Sequence, residues 1–273
     1  MKKNFKILSR DIRVNLLNTT YHAKSSHIGS CLSIVEILIA IHYELIKRND
    51  QFILSKGHAG LAMYCLLYEK KYISLKTLNS YGKDKSILMG HISHKVKGVE
   101  FSTGSLGHGL PVAVGKAFKS KRFKNKNNIY VLLSDGELNE GSTWESLLFA
   151  SHHKLDNLNI IVDYNKIQSM GPIDKIINLE PLKEKFESFG CDVMEVDGHN
   201  IKQIQKSLKK KSVTKPKLII AHTTKGKGVH FMENNNLWHY RPPNQKELME
   251  ALKEVNKNAW PIYKKTLWKF KKE

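Results

Sequence analysis

Residues 130–141 read YVLLSDGELNEG. Four residues suited to a buried strand run straight into a turn carrying Asp135, Glu137 and Glu140, with Gly136 and Gly141 between and after them. An apolar run without polar alternation is what a strand buried on both faces requires, and parallel sheets provide such strands. The same grammar repeats outward from this stretch. NIYVLLS is followed by a helical pattern from Ser142, then NLNIIVDY, a helix around Leu182 to Phe189, CDVMEV, another helix, and KLIIAH. Strands alternating with helical segments predict an α/β fold, a parallel sheet with helices on both faces. Earlier in the chain, Ser33 and Glu36 have the S-x-x-E spacing of a capping box and predict a helix over SIVEILIAIHYEL. From about Gln245 the pattern is one helix, interrupted at Pro261 and ending in a basic tail.

In a parallel α/β sheet, ligands bind beyond the carboxyl ends of the strands, and the acidic turn stands at such an end. Asp135 follows one strand directly; Asn165 follows the next, about thirty residues on. If the strands are neighbours, both oxygens face one crevice. Asp, Asn and a backbone carbonyl suit a hard cation such as Mg²⁺, which takes few protein oxygens and phosphate oxygens for the rest. Gly136 would let a diphosphate approach the backbone. Equally, Asp135 and Asn165 suit turns that cap helices.

Composition narrows the function. Of 273 residues, 41% are hydrophobic, enough for a sizeable core. The N-terminus lacks the apolar segment of a signal peptide, and no stretch reaches the roughly 18 apolar residues of a membrane span, so the expected location is cytoplasmic. Cys31, Cys65 and Cys191 lack paired spacing and read as reduced core thiols. The net charge of +20 invites a nucleic-acid role. Against it, the lysines fall in scattered clusters without aromatic interleaving or a DNA-binding motif. Phosphorylated small molecules or an acidic protein suit the charge better.

The SDGELNEG…DYNKIQ pattern resembles the diphosphate and Mg²⁺ signature of thiamine-diphosphate enzymes, with Ser134 where the first glycine usually stands. SSHIGSCLSIVEIL (25–38), DQFILSKGHAGLAMY (50–64), GHISHKVKGVEFSTGSLGHGLPVAVG (90–115) and AHTTKGKGVHFMENNNLWHY (221–240) follow, in order, the blocks of the transketolase family's diphosphate-binding domain. Five motifs in order make this resemblance specific. It implies one such domain over residues 1–245, with 246–273 as a helical basic tail.

The resemblance also implies roles. Asp135, Asn165 and the Ile167 carbonyl would bind Mg²⁺, with Gly136 close to the diphosphate of thiamine diphosphate. His27, His58 and His91 match family histidines around the reacting centre, where imidazoles hydrogen-bond and exchange protons near neutral pH. His239 corresponds to a fourth, with Tyr240 where a glycine is commoner. Gly104, Leu106 and Gly107 match the loop beside the aminopyrimidine, although Leu106 also suits plain core; His108 replaces the usual glutamine. Glu140 matches an interface glutamate, or serves as an acid at a helix N-terminus. Lys225 and Lys227 suit either phosphate contact or an exposed loop. His22 and His94 match no family position.

Transketolases move a two-carbon ketol unit between sugar phosphates in the pentose phosphate network. The family glutamate that activates the cofactor lies on a second domain, and the sequence stops at Glu273. The expectation is therefore an N-terminal subunit needing a separate C-terminal subunit, most simply as an α2β2 assembly. Another ketose phosphate as substrate, or a non-catalytic basic binding protein, are the alternatives.

Overall fold

A computed structural model describes residues 4–256. Helices α1 (Phe5–Ala23), α2 (Ile28–Leu32) and α3 (Val35–Glu44) lead into strand β1 (Gln51–Leu54), followed by α4 (Gly60–Glu69) and α5 (Leu75–Leu78). A long connection reaches α6 (Gly109–Arg122), β2 (Ile129–Ser134), α7 (Gly141–His152) and β3 (Leu158–Tyr164). The chain continues through α8 (Ile173–Ile176), α9 (Leu182–Ser188), β4 (Asp192–Asp197), α10 (Ile201–Lys209), β5 (Lys217–His222) and α11 (Gln245–Val255).

The five strands form one sheet in the order β1-β2-β3-β5-β4, and every pairing is parallel. Every residue of β2 and β3 is buried, which is why their sequences carry no alternation. The alternation is instead between two cores. Tyr130 and Leu132 of β2 face a core built from α1, α3, α4 and α10, while Ile129, Val131 and Leu133 face one built from α6, α7 and α9. The helices on both faces are thus a direct consequence of two apolar strand faces needing cover. Strand β1 has only QFIL to announce it and escaped the sequence pattern, yet Leu54 pairs with Leu132 and brings Ser55 and Lys56 to the same sheet end.

The helix proposed at Ser33 begins later than expected. Its N-cap position is Ile34, with no side-chain cap bond, so Ser33 and Glu36 do not form a capping box. Both side chains have stronger partners: the Ser33 hydroxyl donates to Asp163 Oδ2 at 2.8 Å, and Glu36 accepts two bonds from the Arg13 guanidinium. A capping box does open α11, where Asn244 and Glu247 bond reciprocally. Leu248, Ala251 and Leu252 of α11 join the core under α1. The break at Pro261 and the basic ending lie outside the described residues. All three cysteines are buried and free. Among the described residues no helix is long and apolar enough to cross a membrane.

Candidate active site

The register of β2 and β3 places Ser134 opposite Asp163, so the turns that follow emerge side by side. Asp135 Oδ2 accepts the Lys166 amide across that gap at 2.6 Å, and Oδ1 accepts the Gly136 amide at 2.8 Å. Asn165 Oδ1 accepts the Ile167 amide at 3.1 Å. Its Nδ2 donates to Asp163 Oδ2 at 3.1 Å, and since a carboxylate only accepts, this fixes which end of the amide faces away. Asp135 and Asn165 therefore make turn bonds and line a shared cavity at once.

That cavity, of about 220 Å³, collects most of the residues singled out from the sequence: His27, His58, His91, His239, Leu106, Asp135, Gly136, Asn165, Ile167 and Lys225. Gly104 is exposed at the rim, where a Cβ would stand 3.6 Å from the His91 ring. Gly107 lies behind the wall with φ near 80°; a Cβ there would come within 2.8 Å of Glu140 Cβ. Glu140 is exposed at the N-cap of α7 and makes no side-chain cap bond. Lys227 turns away from the cavity and pairs with Glu233 at 3.3 Å.

The histidines pack ring against ring. His27 lies 5.4 Å from His58, 5.8 Å from His91 and 4.8 Å from His239, centroid to centroid. His27 has φ near 70°, unusual for a residue with a side chain, and its amide donates to the His239 carbonyl at 2.9 Å. Burial, aided by His91, Lys225 and Lys56, lowers His27 to about 4; burial with Lys225, His27 and Lys56 lowers His239 to about 3. Burial and Lys56 hold His58 well below the usual imidazole range. Three of these rings are therefore neutral at physiological pH.

The sequence pattern did not reveal the supporting residues. Lys56 forms a fully buried ion pair with Asp163, which also accepts bonds from Ser33, Thr223 and Asn165. The Lys56 charge holds the Asp163 carboxyl below the usual range against the opposing effect of burial. An acid inside the otherwise buried run NLNIIVDY was the available signal. Burial, then the Asp163 charge, pushes Asp135 up to about 6. Lys225 is 1% exposed, and burial and Lys56 lower it to about 8. Its ammonium donates to the Ile167 and Gln168 carbonyls at 3.0 and 3.1 Å.

Three buried polar atoms on the cavity wall have no hydrogen-bond partner: Ser134 Oγ, Gln168 Nε2 and His239 Nδ1. Such atoms are costly to leave unmet.

A parallel α/β sheet with a polar crevice at its carboxyl edge defines a cofactor-binding domain of the open-sheet class. The chain belongs to the transketolase family: residues 6–265 match the family model described as transketolase, thiamine diphosphate binding domain. It is 42% identical to one of the subunits of apulose-4-phosphate transketolase from Actinobacillus succinogenes, over 93% of this chain and 95% of that protein. The corresponding protein from Phocaeicola vulgatus is 36% identical, over 96% and 97%. The crystal structure of transketolase from Campylobacter jejuni superposes with a TM-score of 0.87 at 32% identity, covering 92% of this chain. The chain spans only 42% of the length of that transketolase.

Proposed function

We propose that the chain is the diphosphate-binding subunit of a two-subunit transketolase, which transfers a two-carbon ketol unit between phosphorylated sugars with thiamine diphosphate and Mg²⁺, in the cytoplasm. The observation that carries this reading is one cavity at the carboxyl end of the sheet that gathers Asp135, Asn165, Ile167, Lys225 and four histidines, in a chain whose residues 6–265 match the thiamine diphosphate binding domain. The donor set fits Mg²⁺: one carboxylate, one amide oxygen and the Ile167 carbonyl, with room for phosphate oxygens.

Asp135, Asn165 and Ile167 would hold the ion, and Gly136 would leave the backbone open to the diphosphate. When bound, thiamine diphosphate supplies the electron sink for breaking a carbon–carbon bond beside a ketone. Lys56 and Lys225 bring positive charge to the wall that faces the phosphates. His27, His58 and His239, kept neutral by burial and nearby cations, can each donate a hydrogen bond from one nitrogen and accept a proton at the other, which suits binding and deprotonating sugar hydroxyls. Leu106 and Gly104 stand at the side assigned to the aminopyrimidine, with Gly107 supporting the loop.

The activating glutamate is assigned to a separate C-terminal subunit in an α2β2 assembly. Exposed Glu140 supports this, as do Leu148 and Phe149 further along α7, which are 59% and 42% exposed. The diphosphate-binding domain is assigned to residues 1–245, and α11 beyond it packs onto that domain through Leu248, Ala251 and Leu252.

A second reading changes only the sugar. The near full-length match to two proteins named for apulose-4-phosphate favours a rarer ketose phosphate over the common pentose phosphates. The test is to mix the chain with its partner subunit, add thiamine diphosphate and Mg²⁺, and follow ketol transfer from xylulose 5-phosphate and from apulose 4-phosphate. Turnover only in the mixture is the expected result. Cofactor binding without turnover of either donor would overturn the substrate assignment, and absence of binding would overturn the cofactor assignment.

A further inference from the structure

Bordering a second cleft, on the loop following β5, lies a closed circuit of polar groups, with Arg13 and Glu36 buried and His199 half-buried. Arg13 of α1 donates to Glu36 of α3 through Nη1 at 2.6 Å and Nη2 at 2.9 Å. The other carboxylate contact of Glu36 is His199 Nδ1, 3.1 Å from Oε2, in the turn between β4 and α10. His199 Nε2 accepts the Thr224 amide at 2.9 Å, so the ring proton sits on Nδ1 and is donated to Glu36. Arg13 Nε closes the circuit by donating to the Lys227 carbonyl at 2.9 Å. The circuit grips the loop at residues 224 and 227, immediately either side of Lys225 and Gly226.

None of Arg13, Glu36 and His199 lines the cavity; they border a separate cleft of about 950 Å³. Arg13 and Glu36 are 7% and 8% exposed, and burying a charged pair does not by itself favour folding over well-packed apolar residues. A two-pronged Arg–carboxylate pair adds geometric specificity to the contact. Gly228 adds to the fit: its φ is near 98°, and a Cβ would stand 2.9 Å from Arg13 Nε. On the far side of the loop, Lys225 is delivered to the Ile167 and Gln168 carbonyls.

We propose that Arg13, Glu36 and His199 are positioning residues, which hold the 223–228 loop so that Lys225 reaches the diphosphate end of the cavity. The proposal rests on the reading of that cavity as the cofactor site.

The test titrates thiamine diphosphate with Mg²⁺ into the assembled protein by calorimetry, comparing His199→Leu, His199→Gln, Lys225→Met and the double variant His199→Leu/Lys225→Met. The oxygen and nitrogen of a glutamine amide can replace the two ring nitrogens as acceptor and donor, whereas leucine can do neither. His199→Leu is expected to weaken binding about tenfold, with His199→Gln near wild type and the double variant no weaker than Lys225→Met alone, since two residues acting through one contact are not additive. Amide exchange over residues 223–228 in the free chain is expected to speed up in His199→Leu and recover in His199→Gln. Wild-type binding and exchange in His199→Leu, or additive losses in the double variant, would overturn the positioning role while leaving the cavity reading in place. Wild-type binding in Lys225→Met together with faster exchange in His199→Leu would overturn the role of Lys225 in the cofactor site. Glu36→Gln replaces His199→Leu if the latter does not fold.

Discussion

Glu137 Oε1 accepts the Gly107 amide at 2.9 Å and also the Ser55 hydroxyl, while Oε2 takes the Ser134 amide at 3.4 Å. One fully buried acid thus joins the loop before α6 to the ends of β1 and β2. All three partners are donors in this arrangement, so Glu137→Gln turns an NH₂ group against an N–H. The expected cost is about 1–3 kcal/mol, read as a lower urea midpoint at unchanged slope. An unaltered midpoint would show that the loop is held by other contacts.

Lys56→Met leaves Asp163 buried without its counter-ion. Removing one member of a buried pair costs about 3–5 kcal/mol, and thermal unfolding of the free chain measures it. Adding Asp163→Asn to the same chain should recover part of the loss, because the amide oxygen can keep the Ser33 and Asn165 bonds while its NH₂ donates to the Thr223 hydroxyl. If the double variant is no more stable than Lys56→Met, the charge on Asp163 is not the source of the penalty.

Asp135→Ala removes the proposed metal carboxylate. Thiamine diphosphate affinity in Mg²⁺ should fall by at least about tenfold, with circular dichroism unchanged, as expected for losing a carboxylate ligand. Chelation of Mg²⁺ from the wild type should have the same effect and should add nothing in the variant. Equal affinity in the two proteins would remove Asp135 from the site.

Arg13 and His199 hold the Glu36 carboxyl at about 2 against burial, which acts in the other direction, compared with its ordinary value of 4.5. A carboxylate with a depressed folded-state pKa contributes stability that is complete above its unfolded value and is lost as pH falls through its folded one. The stability difference between wild type and Glu36→Gln should therefore be constant from neutral pH to about 5 and shrink steadily towards pH 2. Urea melts of both proteins across this range check the sign; a difference that grows on acidification would contradict the pairing.

Much of this was legible in the sequence for a definite physical reason. Strands β2, β3 and β5 carry mostly apolar runs without polar alternation because both faces are covered, and that pattern survives without knowledge of their neighbours. Asp135, Gly136 and Asn165 were legible because they follow strands, whereas the four histidines, Gly104 and Leu106 were legible through the motifs shared with the transketolase family. Strand β1 was missed because four residues with three apolar ones are too short a signal. Ser33 and Glu36 were misread because a capping box is a local rule, and both side chains were taken by partners distant in sequence, Asp163 and His199. Lys56 and Asp163 are invisible as a pair for the same reason: 107 positions separate them.

The unmet atoms of Ser134, Gln168 and His239 also bear on how long the chain lasts. A ligand held in the cavity these residues line binds the folded form alone, and at a free concentration one hundred times its dissociation constant it adds about 2.7 kcal/mol to the unfolding free energy. Proteases act on opened chains, so turnover of this protein in the cell should slow when the vitamin that supplies the ligand is plentiful and quicken when it is scarce.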